Sequence, residues 1–385
     1  MSKPKYNQKK LAILAAGGTG GHLFPAHALA NELQNYDIAL ALVTDRRAAG
    51  INGAFANIDV HRISASGISG RNIFRRIIAT INLAIGFLEA MLLLRRLKPD
   101  VVIGFGSYAS VPTVAAAAFL GFRTIIHEQN AVLGRANRFL APGVTRIATA
   151  FEFAANLRAK DRQKAIWTGN PVRQEIIALS GKPYPQIEAG GSIHILVFGG
   201  SQGAAVFSEV VPEALALLPE QERQRLRVVQ QCREEDIEDV KSKYFDFHIT
   251  AELSPFFDDM AERISAAHLV ICRSGASTLA EIATAGRPAI LVPFPHATDD
   301  HQTRNAQGLC DAGGGWMIPQ DAFTPETLAN RLASLFSIDS TLNSAAKCAT
   351  KIGMSEAAQK LAVLVINTLS AEQEGKDTAT KGIAA

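Results

Sequence analysis

The chain has 385 residues, 48% hydrophobic and 19% charged, with a net charge of +3. That length allows two domains, each with its own core, and the balance excludes a disordered chain. So small a charge gives no reason to expect nucleic acid as a partner. The four cysteines, Cys232, Cys272, Cys310 and Cys348, form no CxxC pair. Their spacing signals neither a zinc site nor a disulfide framework, and it fits a reducing compartment.

The lead MSKPKYNQKK followed by LAILAAGG (11–18) imitates a signal peptide only faintly. Its apolar run is short and ends in glycines, which predicts a first buried strand behind a basic lead-in. Further apolar runs at 38–43, 100–105, 124–127 and 145–150 predict buried parallel strands. Helical patterns near 22–35, 71–97, 110–120 and 134–141 lie between them. Residues 77–94, IIATINLAIGFLEAMLLL, reach the roughly 18 residues of a minimal membrane span. Asn82 and Glu89 interrupt that stretch, and arginine pairs flank both ends. The segment also stands where an α/β unit needs its crossover helix. The expectation is a long helix, buried on one side, whose other side touches lipid.

A second series opens at IHILVF (193–198), with strands near 226–231, 247–252, 268–272, 288–292 and 315–318. Strands alternating with helices throughout predict an α/β protein with doubly wound sheets. The break between the halves falls at about 170–192, where Asn170-Pro171 and KPYPQIEAGGS (182–192) signal turns. Each half opens alike, a strand leading into GGTGG (17–21) or GGSQG (199–203). Glycines at such a turn let backbone N–H groups approach a phosphate at a helix start. Two matching halves facing a cleft is the picture this repeat supports. A nicotinamide site, with Asp45 on the ribose, is the rival reading of the first loop. It is weakened because Leu23 stands where the third glycine belongs.

After HLVIC comes RSGASTLAEIATAGRPAILVPFPHATDDHQ (273–302). Glu281 has two readings here. Thr278 to Glu281 matches a capping box, and a carboxylate one turn into the helix also suits a vicinal diol. His296, Asp299, Asp300, His301 and Gln302 share one loop, which reads as a polar substrate loop at a strand's carboxyl end and not as a metal shell.

Taken in order, GGTGGH, GSYAS (106–110), HEQN (127–130), TGNPVR (168–173), GGSQGA, FFDDM (256–260), RSGASTLAE and DDHQ (299–302) resemble the MurG family across about residues 11–365. The resemblance implies the GT-B architecture, two Rossmann-like doubly wound domains facing a cleft. It implies an inverting, metal-independent transfer of N-acetylglucosamine from UDP-N-acetylglucosamine to the C4 hydroxyl of undecaprenyl-pyrophosphoryl-N-acetylmuramyl-pentapeptide. No cofactor and no metal are expected. The implied domains are 1–175, which binds acceptor and faces the membrane, and 176–355, which binds the UDP-sugar. A helix at 356–371 would pack back toward the first domain, ahead of a disordered tail at 372–385.

The same resemblance implies site residues. Thr19, Gly20 and Gly21 approach the donor sugar and its phosphates. Asn130 and Arg173 stand on the first-domain side near the donor. Ser201 contacts the diphosphate, and Phe257 meets uracil through its backbone. Ala276, Ser277, Thr278, Leu279, Ala280 and Glu281 wrap the phosphates and ribose, with Glu281 on the ribose hydroxyls, and Gln302 contacts the sugar. Tyr108, His127 and Asn137 are acceptor-side candidates.

The acceptor hydroxyl must lose a proton as it attacks, and His22 and Glu128 are the candidate bases. His22 is favoured because a helix start keeps it neutral. A polyprenyl acceptor places the enzyme on the cytoplasmic face of the inner membrane as a peripheral protein. Arg71, Arg75, Arg76, Arg95, Arg96 and Lys98 oppose only Glu89 and Asp100 in and near residues 71–98, and the N-terminal part of that segment, with Phe74 and Ile78, is expected to dock there on anionic lipid. A UDP-sugar 2-epimerase and a non-catalytic sugar-nucleotide-binding subunit are further rivals.

Overall fold

The computed structural model describes residues 9–17, 20–45, 55, 58–65, 73–188, 190–200, 203–338 and 340–370, the side chains of 73–76 excepted. It divides into two compact units. The first comprises Met1–Val172 with Glu356–Ala385, and the second Arg173–Ser355.

The first unit is built on a parallel sheet of order β3-β2-β1-β4-β5-β6-β7. Its strands are β1 (Lys10–Ala15), β2 (Ile38–Asp45), β3 (Asp59–Ile63), β4 (Val101–Gly104), β5 (Arg123–Glu128), β6 (Arg146–Thr149) and β7 (Ala165–Trp167). β1 runs beside β2 from Lys10 opposite Ile38 to Ala15 opposite Val43, and beside β4 from Ala12 opposite Val101 to Ala15 opposite Gly104. The outer strands β3 and β7 have no counterpart among the expected apolar runs. DVHRI is polar and alternating, and AIW is three residues long, so neither looks like a buried central strand.

Helices α1 (Gly20–Leu33), α2 (Ile73–Leu97), α3 (Ser107–Phe119) and α4 (Arg135–Leu140) follow β1, β3, β4 and β5. Strand side chains alternate between faces, so β1 feeds two cores. Ala12 and Leu14 pack with Leu29, Leu33 and Ile103, while Leu11 and Ile13 pack with Val43, Leu94, Val114 and Ile126. The final helix α12 (Ala357–Ser370) belongs to the first of these cores through Leu361, Val365 and Leu369. Its C-terminal carbonyl at Leu369 accepts hydrogen bonds from Arg123 (2.7 Å) and Lys10 (3.4 Å), cations where the helix dipole favours them.

The second unit repeats the plan with the parallel order β10-β9-β8-β11-β12-β13. The strands are β8 (Ile193–Phe198), β9 (Leu226–Gln231), β10 (Thr250–Ser254), β11 (Leu269–Cys272), β12 (Ala289–Leu291) and β13 (Gly315–Met317). Its longer helices are α5 (Ala205–Ala216), α6 (Ile237–Asp246), α7 (Met260–Ala266), α8 (Ala276–Thr284), α9 (His301–Asp311), α10 (Pro325–Phe336) and α11 (Ser340–Ile352). Ile195, Val197, Phe207, Val211, Leu226, Ile271 and Ile290 lie in one core. Arg287, 1% exposed, donates from Nε to the Ile264 carbonyl, from Nη1 to that of Ala285 and from Nη2 to that of Ser265. This guanidinium thereby satisfies the ends of α7 and α8 together, which is why so polar a group is tolerated there.

In both sheets the strand order reverses beside the first strand, and ligands of open α/β sheets bind at the carboxyl ends on either side of such a reversal. In the first unit those ends carry Gly17 and Phe105–Gly106; in the second they carry Gly199 and Arg273–Gly275.

Candidate functional site

Glycine is required sterically at both reversals. A Cβ on Gly17 would come within 2.7 Å of the Ala109 Cβ, and one on Gly199 within 2.5 Å of the Ala204 nitrogen. Gly20 and Gly21 open α1, and His22 lies in its first turn. Thr19 and Ser201 lie outside the described residues, as do Arg71 and the side chains of Phe74, Arg75 and Arg76.

In the first unit His22 is half-buried, and its Nδ1 lies 2.8 Å from the Phe105 carbonyl oxygen. A carbonyl only accepts, so a neutral His22 carries its proton on Nδ1, and Nε2 is the basic nitrogen. Glu128 is 2% exposed and tightly held. Its Oε1 accepts from the Asn130 backbone and side-chain nitrogens at 3.0 and 3.2 Å. Its Oε2 accepts from the Gly134 backbone at 2.8 Å and from Asn137 Nδ2 at 2.9 Å. With four donors around it, the carboxylate organises the loop from Asn130 to the start of α4.

Asn137 is 1% exposed and His127 0%, so both are internal supports of this loop and present no side chain to an acceptor. Burial lowers the His127 pKa to about 4, against the opposing pull of its bond to the Gly169 carbonyl. Tyr108, half-buried in the first turn of α3, is more accessible than either.

In the second unit the Arg173 guanidinium meets the Glu281 carboxylate through two parallel bonds. Arg173 is expected on the first-domain side; it lies instead at the start of the second unit, where its guanidinium pairs with Glu281 of α8. The capping-box reading of Glu281 is set aside. Gly275 is the N-cap of α8, and the Glu281 carboxylate turns to Arg173. Ala276, Ser277, Thr278, Leu279 and Ala280 form the first turns of α8, where the helix dipole favours an anion.

Phe257 is 7% exposed, and the Arg263 guanidinium lies 4.0 Å from its ring centroid, bridging Asp259 (2.6 Å) and Glu252 (2.7 Å). The Gln302 Oε1 accepts from the Phe294 N–H at 2.9 Å, which leaves its amide NH₂ as the group to offer a ligand. Asp299 and Asp300 reach this point with φ of 54° and 52°, a conformation that aspartate tolerates better than most residues. Arg273 donates to the carbonyls of Val292 and Pro293, bracing the same loop. Among the described residues no group of three or more His, Cys, Asp or Glu side chains is arranged to hold a metal ion.

Gln129, Arg263 and Arg273 all lie in or beside the motifs read from the sequence, but none carried a role there. Apart from the i,i+4 pair of Arg263 with Asp259 and the contact of Gln129 with His127, their partners are distant in the chain, which spacing does not show.

One further surface stands out. On α2, Ile77, Ile81, Ile85, Leu88 and Leu92 are 44–69% exposed and recur at three- to four-residue spacing, with Ile78 beside them. The segment Ile77–Leu97 has a mean hydropathy of 2.2, enough by length and composition to cross a membrane. Its other side is docked. The Glu89 Oε2 accepts from the Ser64 N–H at 2.6 Å, Gly86 meets the Ser64 carbonyl, and Leu94 is buried. Arg95, Arg96 and Lys98 are exposed at its end.

Comparison with known proteins adds the family context. The glycosyltransferase family 28 N-terminal domain matches residues 12–149, and the family 28 C-terminal domain matches residues 194–361. A protein of Paramagnetospirillum magneticum is 51% identical over 95% of this chain and 98% of its own length. One of Rhodospirillum rubrum is 53% identical over 92% of this chain and 91% of its own. Both carry the name UDP-N-acetylglucosamine–N-acetylmuramyl-(pentapeptide) pyrophosphoryl-undecaprenol N-acetylglucosamine transferase. The crystal structure of Acinetobacter baumannii MurG is 32% identical and superimposes with a TM-score of 0.75, covering 93% of this chain and 99% of that one.

Proposed function

Because the chain belongs to the MurG family, within glycosyltransferase family 28, we infer that it moves N-acetylglucosamine from UDP-N-acetylglucosamine onto undecaprenyl-pyrophosphoryl-N-acetylmuramyl-pentapeptide. The product is the lipid-linked disaccharide precursor of peptidoglycan. The observation that carries this is 51% identity over 95% of the chain with a relative named for that transfer. A glycine turn stands at the reversal of each sheet, where backbone N–H groups can approach a phosphate, and this supports the reading.

The transfer is a single displacement with inversion. The acceptor C4 oxygen attacks the anomeric carbon, the bond from that carbon to the UDP oxygen breaks, and UDP leaves with the electron pair. The proton of the hydroxyl passes to His22 Nε2, the nitrogen that the Phe105 carbonyl leaves basic. Glu128, already holding four donors, keeps the 130–137 loop in shape instead of taking that proton. Negative charge grows on the diphosphate as it departs, and the N–H groups at the start of α8 and in the loop before α5 stabilise it without a metal. Glu281 binds ribose hydroxyls, Phe257 reads uracil through its backbone, and the Gln302 NH₂ donates to the sugar. Asn130, Gly20, Gly21, Thr19 and Ser201 complete the donor contacts, and Tyr108 lies on the acceptor side.

The exposed stripe of α2 with its basic end docks on the cytoplasmic leaflet, where the acceptor's polyprenyl chain is anchored. Docking fits better than spanning, since the opposite side of α2 is held to the sheet by Glu89, Gly86 and Leu94.

The test is to supply labelled UDP-N-acetylglucosamine with a lipid-linked muramyl-pentapeptide analogue in excess EDTA. The disaccharide product is expected. An epimerised UDP-sugar formed from donor alone, or a reaction that requires added metal, would overturn the reading.

A further inference from the structure

We propose that Gln129 is a positioning residue that aims the Phe105 carbonyl, the acceptor that sets the ring tautomer of His22. The proposal rests on the reading of His22 as the base. Gln129 is 3% exposed and touches no surface from which it could bind substrate. Its Nε2 lies 2.8 Å from the Phe105 oxygen, the same atom that His22 Nδ1 approaches at 2.8 Å. The second Nε2 hydrogen points to His127 Nδ1 at 3.2 Å, and His127 Nε2 lies 3.0 Å from the Gly169 carbonyl.

These contacts allow one proton arrangement. The Gly169 carbonyl accepts, so His127 carries its proton on Nε2 and offers a lone pair at Nδ1. Gln129 fills that lone pair with one hydrogen and the Phe105 carbonyl with the other, which fixes which way its amide faces. The carbonyl has two lone pairs; Gln129 takes one, and the other receives the Nδ1 proton of His22. Both rings are thereby locked, and burial of His127 keeps it neutral, as the chain requires.

The lock matters because a free neutral imidazole favours the opposite tautomer, with the proton on Nε2. In that form Nε2 cannot accept the acceptor's proton. Gly106 belongs to the same device. It has φ +81°, and a Cβ there would lie 3.4 Å from both the His22 ring and the Gln129 Oε1. The turn at the end of β4 thus brings its carbonyl and both side chains together only with glycine in place.

The experiment combines kinetics with ¹⁵N NMR of the imidazoles, the His22 signals being assigned by their loss in H22Q. In the wild-type protein His22 is expected as the Nδ1–H tautomer; the Nε2–H form would overturn the proposal without any change at Gln129. Q129L and Q129M, which fill the space without donating, should lower kcat about 10- to 100-fold, the scale of a misplaced catalytic group. The KM for UDP-N-acetylglucosamine should stay within about twofold, and His22 should shift toward Nε2–H.

H22Q separates the two levels of the argument. If H22Q keeps the wild-type rate, the base assignment fails. If H22Q loses about 100-fold or more while the Gln129 variants keep both rate and tautomer, the base stands and this proposal fails. A fall in rate with an unchanged tautomer would also overturn it, since that is what a purely structural residue would do.

Discussion

Arg173 holds Glu281 in a two-point fork, Nε to Oε1 at 2.8 Å and Nη2 to Oε2 at 3.0 Å. A bidentate pair of this kind aims the carboxylate as well as neutralising it, and the fork geometry belongs to arginine alone. Each oxygen keeps a further lone pair, which is what two ribose hydroxyls need. R173K retains the charge but loses the aim, so the KM for UDP-N-acetylglucosamine should rise about tenfold, or about 1.4 kcal/mol. E281Q, which removes the anion facing Arg173, should cost more. Calorimetric titration with UDP checks both. Unchanged affinity in E281Q would remove Glu281 from the nucleotide site.

The Phe257 loop is held from outside by Arg263. Its guanidinium lies on the ring at 4.0 Å and closes ion pairs to Asp259 and Glu252, both of whose carboxyls it holds below their usual range. A cation–π contact of this exposure contributes about 0.5–1 kcal/mol. R263M should therefore raise the KM for the donor a few-fold with kcat unchanged. A drop in kcat with an unaltered KM would show that the loop does not report on uracil binding.

Acid should loosen the first unit through His127. Its folded pKa of about 4 lies below the ordinary 6.5, so between those values the unfolded chain binds the extra proton. The stability it confers is complete above pH 6.5 and is lost as pH falls toward 4, about 2 kcal/mol of it by pH 5. Urea midpoints of the wild type and H127Q at pH 7 and pH 5 test this. The wild type should weaken more between the two pH values. Equal losses in both proteins would dismiss His127 as the source. His268, lowered to about 4 chiefly by burial, acts in the second unit and is common to both proteins.

Much of this was legible in the sequence, for identifiable reasons. Central strands such as LAILA and IHILVF are apolar on both faces because helices cover both, so they announce themselves as buried runs. The glycine turns were legible because close backbone approach at Gly17 and Gly199 admits no other residue. What spacing does not carry is long-range pairing. Nothing in the chain text says that Glu128 would gather Asn130, Gly134 and Asn137 around itself, or that Arg173 would cross 108 positions to Glu281. His127 and Asn137 are acceptor-side candidates only through the family resemblance, and spacing does not reveal that their polar atoms bond to buried carbonyls and a carboxylate. The edge strands β3 and β7 escaped because one side of each lacks a neighbour, which relaxes the demand for apolar residues.

The exposed face of α2 is separate from the side that packs on the fold. Ile81 is 52% and Leu88 56% exposed, on a helix whose packing rests on Leu94, Ala90 and the Glu89–Ser64 bond on its other side. Replacing both by serine removes little from the fold, because those side chains already face outward. On a bilayer each would bury the rest of its surface, contributing about 1 kcal/mol. The double variant I81S/L88S should therefore bind vesicles containing phosphatidylglycerol about 30-fold more weakly, while UDP affinity stays as in the wild type. Raising salt should weaken both proteins further, since Arg95, Arg96 and Lys98 remain to attract the anionic surface. Cosedimentation over a series of lipid concentrations measures the partition. Equal partition of the two proteins would assign membrane attachment to some other surface and leave the α2 stripe without a role at the membrane.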